Sequence, residues 1–157
     1  MSSRHDELTI NADGAEVRRA SEWLDTACRQ HDVPQALSDQ LVLCLNEVLA
    51  NVIDHGGRTA LSAPVRLLLE VTRDQDCSKA SVTVSDAGMP FNPQSVPVRI
   101  LPHTLAEASG GGFGLVLIRR CSDWLDYRHE DGRNHFTFGT RCDSRVNGIP
   151  GSGASIG

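Results

Sequence analysis

NEVLANVIDHGG, residues 46–57, is the stretch whose reading decides the fold. Glu47, Asn51 and His55 recur every four residues, so on a helix they share one face. Leu45, Val48, Leu49 and Val52 form a second stripe suited to a core, and Gly56-Gly57 supplies a stop signal. A carboxylate, an amide and an imidazole beside so apolar a stripe have two explanations. They are a solvated edge, or they are partnered groups of a site, because burying polar groups without partners is costly. Alone, the spacing favours the solvated edge, and the rest of the chain has to decide.

Working outward, 157 residues suit one domain with a core large enough to need no disulfide or metal staple. Residues 1–142 are expected to form that domain. The tail 143–157, ending GIPGSGASIG, is expected to be disordered. A formal net charge of -5 argues against nucleic-acid binding. No apolar run approaches membrane-span length, and MSSRHDE at the N-terminus is no signal peptide, so a cytoplasmic protein off the membrane is expected. The five cysteines (Cys28, Cys44, Cys77, Cys121, Cys142) are odd in number and show no C-x-x-C pair. They suit reduced packing residues better than a zinc site or a disulfide framework.

The apolar spacing predicts an edge strand from Glu7 and a helix over 15–31, with Trp23 widening its apolar face. A second helix, opened by Pro34 and running over 35–54, carries the opening stretch. Strands over 65–73 and 79–86 form a hairpin. A long irregular stretch over 87–112 then suits a functional lid. GFGLVLIRRCSDW reads as a helix opened by glycines. WLDYRHED and NHFTFGTRC, divided at Gly132-Arg133, make a closing hairpin. The fold class is therefore α+β, a two-layer sandwich with a mostly antiparallel sheet and helices on one face.

Two further motifs flank the helix. DAGMPF (86–91) places Asp86 at a strand end and Gly88 two residues on. It reads either as a plain turn or as a carboxylate accepting from a ligand amine, with Gly88 admitting close approach. SGGGFGL (109–115) precedes an apolar helix, where glycines are either flexible spacers or a phosphate site at a helix start. There is no G-x-x-x-x-G-K-[ST], so this is not a Walker loop. The spacing of Gly110, Gly112 and Gly114 follows no strand, which speaks against a Rossmann reading.

E-x-x-x-N-x-x-x-H, D-x-G-x-P-F and G-G-x-G-L occur here in that order. Together they resemble the GHKL ATPases (gyrase B, heat-shock chaperones, histidine-kinase catalytic domains and MutL), which share the Bergerat ATP-binding fold. Within that superfamily the chain most resembles the anti-sigma-factor serine-protein kinases of bacterial partner-switching systems. The likeness spans roughly residues 8–142. It implies ATP and Mg²⁺ as cofactors, with Asn51 on the metal and Glu47 as general base. Asp86 and Gly88 would hold adenine. Gly110, Gly112 and Gly114 would wrap the phosphates, with Phe113 and Leu115 beside them. His55 is either a nucleotide neighbour or a satisfied helix-end histidine. A small polar residue from the last hairpin should reach the site, and Asn134 and Thr137 are the two candidates.

The implied partners are a STAS-domain anti-anti-sigma protein, which would be phosphorylated, and a sigma factor or other regulator. Homodimerisation is also expected, with Trp23 and the first strand in view as its surface. One departure stands out: no Lys or Arg lies between Arg99 and Arg119, so the lid carries no cation for the γ-phosphate. That favours an alternative, an ATP-gated binding module with little or no kinase activity. A detached histidine-kinase domain ranks low, because Glu47 stands where those domains have an amide.

Overall fold

Val65, Leu67, Leu69 and Val71 are buried while Arg66 and Glu70 between them are exposed, the period-two pattern of a strand with one face on a core. The computed structural model describes residues 2–55, 57–90 and 113–143. Its strands are β1 (Ser2–Ile10), β2 (Val65–Arg73), β3 (Cys77–Asp86), β4 (Trp124–Glu130) and β5 (Arg133–Asp143). They form one sheet in the order β1-β2-β3-β5-β4, with every pairing antiparallel. The helices described are α1 (Gly14–Gln30), α2 (Gln35–His55), α3 (Gly57–Ser62) and α4 (Phe113–Cys121). Helix α2 packs against α1 and α4 and lies over β3 and β5. This is the expected two-layer α+β sandwich.

The core is the seam between the layers. Leu41, Cys44, Leu45, Val48 and Leu49 of α2 meet Leu67, Leu69, Val82, Val84 and Phe138 of the sheet. Burying each of these larger side chains is worth about 1.5–3 kcal/mol. Helix α1 begins at Asp13, whose carboxylate accepts from the Glu16 N–H at 3.0 Å. It ends in a left-handed turn at Asp32 (φ 56°), where the Val33 N–H reaches Cys28 O and the Asp32 N–H reaches Arg29 O. Arg73 then donates to the carbonyls of His31 and Asp32 at 2.6 and 2.5 Å, and His31 Nε2 bonds Asp6. The polar edge strand β1 is thus tied to the end of α1.

Several local expectations shift. β1 begins at Ser2, not Glu7, because its polar first half is held by the full β2 ladder. Gly57 does not simply end α2. It starts the short α3 at φ 73°, a conformation suited to glycine. Helix α4 stops at Cys121, and Trp124 already belongs to β4. The closing turn is Asp131-Gly132, with φ 54° and 73°, the two-residue turn that matches strand twist. Helix α2 also corrects the membrane-span expectation. Over Gln35–Asp54 it is long and apolar enough by composition to cross a bilayer, but its apolar stripe lies on the sheet. The tail lies outside the described residues apart from Asp143 in β5. The cysteines described are free thiols.

Candidate functional site

The roll of α2 is set by its apolar stripe, and the roll decides where its polar face goes. With Val48, Leu49 and Val52 buried on the sheet side, Glu47 and Asn51 emerge half-buried at the rim of the core, one turn apart. Ser21 Oγ donates to Asn46 Oδ1 at 2.6 Å, fixing α2 to α1. On the other side Cys44 Sγ faces Ile118 O of α4 at 3.9 Å. Burial pushes the Cys44 thiol up to about 12, and the neighbouring Cys121 and Glu47 add to the shift. Glu47 therefore stands close to the α2–α4 seam. His55 is the last residue of α2, and its side chain lies outside the described residues.

Asp86 ends β3 on the helix-facing side of the sheet, and it is buried. A buried carboxylate needs donors. Its Oδ1 accepts from the Gly88 N–H at 2.8 Å and from Asn134 Nδ2 at 3.1 Å. The same Nδ2 lies 3.3 Å from Gly88 O and 2.9 Å from Met89 O, so Asn134 stitches β5 to the 86–89 turn. The strand register explains the choice between the two hairpin candidates. Asn134 pairs directly with Asp86. Thr137 pairs with Thr83, to which it bonds at 2.8 Å on the sheet face away from the helices. Tyr127 donates its hydroxyl to Asn134 Oδ1 at 2.6 Å, and His129 Nδ1 lies 3.3 Å from that oxygen.

Arg133 secures the strand end from below. Its guanidinium donates to Ser85 Oγ, Ser85 O and Pro64 O at 2.8–2.9 Å. Burial holds its pKa below the usual guanidinium value, as does the neighbouring Arg66, with Asp86 acting the opposite way. The two halves of the site meet through Gly57. A Cβ built at that position would sit 3.9 Å from Met89 Sδ, so the start of α3, two residues beyond α2, lies beside the turn that follows Asp86.

The elements thus bring the Glu47–Asn51 rim and the Asp86–Gly88 turn to the same end of the sandwich. Phe113, Gly114 and Leu115 form the first turn of α4, and nothing is described of their side chains. Gly110 and Gly112 lie outside the described residues. Among the described residues no group of three or more His, Cys, Asp or Glu could hold a metal ion. Tyr127, His129 and Arg133 had no sequence signal of their own. Placing the turn at the Asp-Gly pair 131–132 would have put Asn134 opposite His129, but its pairing with Asp86 belongs to the separate β3–β5 ladder.

A family model described as a histidine kinase-like ATPase domain matches residues 10–139. The chain is 30% identical over 137 residues to the serine/threonine-protein kinase BtrW of Bordetella bronchiseptica, covering 87% of this chain and 94% of that protein. A solved SiaB–SiaC complex from Pseudomonas aeruginosa aligns at 14% identity with a TM-score of 0.49, over 86% of this chain and 89% of that one. The match runs from the end of β1 into β5 and takes in both halves of the site, and the chain belongs to the histidine kinase-like ATPase domain family.

Proposed function

We propose that this protein is an ATP-dependent protein-serine kinase and anti-sigma factor of a bacterial partner-switching system, working in the cytoplasm. It would bind Mg·ATP and phosphorylate a STAS-type antagonist, changing that antagonist's hold on a sigma factor or other regulator. The observation that carries this reading is the rim of α2. There Glu47 and Asn51 stand one turn apart and half-buried, and the start of α3, two residues beyond α2, lies beside the turn after Asp86. The relative named a serine/threonine-protein kinase supports it over nearly that protein's full length.

The residues fit the ligands the reading needs. Asp86 Oδ1 is occupied by two N–H donors, which fixes the carboxylate and would leave Oδ2 to accept from an adenine amine. Gly88 is buried beside it and, lacking a side chain, would let the base approach closely. Asn51 offers a neutral oxygen, the donor type Mg²⁺ accepts when phosphate and water complete its octahedron. When bound, the ion would neutralise charge developing on the transferring phosphoryl group. Glu47 is the base of this reading. Its carboxylate takes the proton from the serine Oγ, that oxygen bonds the γ-phosphorus, and the bond to the β–γ bridging oxygen breaks to release ADP. Gly110, Gly112 and Gly114 would wrap the phosphates, with His55, Phe113 and Leu115 nearby.

The test is incubation with radiolabelled ATP and a cognate STAS-domain protein. General-base removal costs about 10²–10⁴-fold in rate. Glu47→Ala is therefore expected to keep nucleotide binding and lose transfer by that factor. Transfer by Glu47→Ala at the wild-type rate would remove Glu47 as base. A wild type that binds ATP and partner yet transfers nothing would replace the kinase with the ATP-gated binding module. That second reading is favoured by the absence of any Lys or Arg between Arg99 and Arg119.

A further inference from the structure

We infer that Tyr127 is a positioning residue for base recognition, acting through Asn134 to hold Asp86 as an acceptor for an exocyclic purine amine. The inference rests on the proposed adenine site. It adds a residue that no part of the sequence motifs contains.

An amide side chain has one accepting end and one donating end, and its orientation is set by its neighbours. On one side of Asn134 lie three acceptors: Asp86 Oδ1, Gly88 O and Met89 O, at 2.9–3.3 Å. That side demands the NH₂ group. The carbonyl therefore faces β4, where the Tyr127 hydroxyl lies 2.6 Å away and must be the donor. Tyr127 and Asn134 are neighbours across β4 and β5, and Asn134 is in turn opposite Asp86 across β5 and β3. The chain of bonds Tyr127 to Asn134 to Asp86 therefore spans three strands at one end of the sheet.

The consequence concerns specificity. With Oδ1 pinned by Asn134 and Gly88, Oδ2 is presented in one direction, as a pure acceptor. A 6-amino purine can donate to it, whereas a 6-oxo purine sets an acceptor against it. Without the phenol, the carbonyl end of Asn134 loses its strongest donor. His129 Nδ1, at 3.3 Å, holds it less well. The amide is then held less firmly in place, so its NH₂ fixes Asp86 Oδ1 less well and the distinction is blunted.

The experiment is calorimetric titration of the full chain, in excess Mg²⁺, with ATP and with inosine triphosphate. It compares wild type, Tyr127→Phe and Asn134→Asp. Hydrogen bonds to charged groups are worth enough that wild type should prefer ATP by at least about tenfold. Tyr127→Phe keeps the ring and its packing. It is expected to lose most of that preference through weaker ATP binding, with inosine triphosphate affinity unchanged. Asn134→Asp, which sets a second carboxylate against Asp86, is expected to abolish it. An unchanged ATP preference in Tyr127→Phe overturns the inference while leaving the adenine site standing. Equal losses for both nucleotides also overturn it, since they report general loosening. A wild type that does not distinguish the two nucleotides overturns the inference and the adenine assignment together.

Discussion

Asp86 and Asn51 were legible as single residues, because each sits in a motif whose chemistry is local: a strand-end carboxylate before glycine, and an amide on a helix face. Asn134 was legible only as one of two candidates. Its role depends on register across two strands, and a one-residue slip turns a side chain to the other face. Tyr127 was not legible at all, since its hydroxyl reaches Asp86 through Asn134. At this scale the roles of Asn51 and Glu47 separate. Asn51→Ala is expected to weaken Mg·ATP binding and abolish transfer, because the amide serves both the ground state and the developing charge. Glu47→Ala should bind Mg·ATP as wild type does. Equal nucleotide affinity in wild type and Asn51→Ala, measured by calorimetry with excess Mg²⁺, would remove Asn51 from the metal site.

Elements whose sequences repeat with a strong period came through with accurate boundaries, as β2 and α2 did. The short α3 did not, because GRTALS is too brief to show a helical period and opens with glycine. The polar half of β1 did not, because a strand edge held by its ladder need not alternate. The β4–β5 pairing carries a constraint that no motif reveals. A Cβ at Gly139 would lie 2.1 Å from the Trp124 ring, which covers that glycine. Gly139→Ala is expected to cost about 1–3 kcal/mol, as overpacking does, measured by urea denaturation. An unchanged midpoint would show that the indole swings aside freely. At the end of α1, Asp32 holds a left-handed conformation disfavoured for residues with a Cβ. Asp32→Gly should therefore raise stability by up to about 1 kcal/mol.

For the molecule as a whole, β1 and β4 leave two sheet edges unpaired among the described residues. The expected homodimer belongs to this scale. Trp23 packs half-buried on the core, and the polar β1 lies at a sheet edge. Light scattering giving twice the chain mass with ATP present is the expected result, and a monomer at high concentration would contradict it. Core thiols set a pH limit. Burial raises Cys28 to about 11 and Cys44 to about 12, so both stay neutral in the folded state where an unfolded thiol ionises. The folded chain then binds more protons than the unfolded one above about pH 9. Stability should be full below that pH and decline as pH rises toward 12. Cys44→Ala should flatten the decline in urea melts across that range.

The central claim, that the α2 rim and the Asp86 turn form one adenine-nucleotide site, is tested most directly by calorimetric titration of ATP with Mg²⁺ into wild type and Asp86→Asn. Asparagine keeps the size of the side chain but replaces a charged acceptor with an amide that can set its NH₂ against the adenine amine. Hydrogen bonds to charged groups are worth about 1.5–3 kcal/mol. The expected result is saturable binding to wild type and at least about tenfold weaker binding to the variant. Equal affinity in the two proteins, or no binding to wild type, would contradict the site.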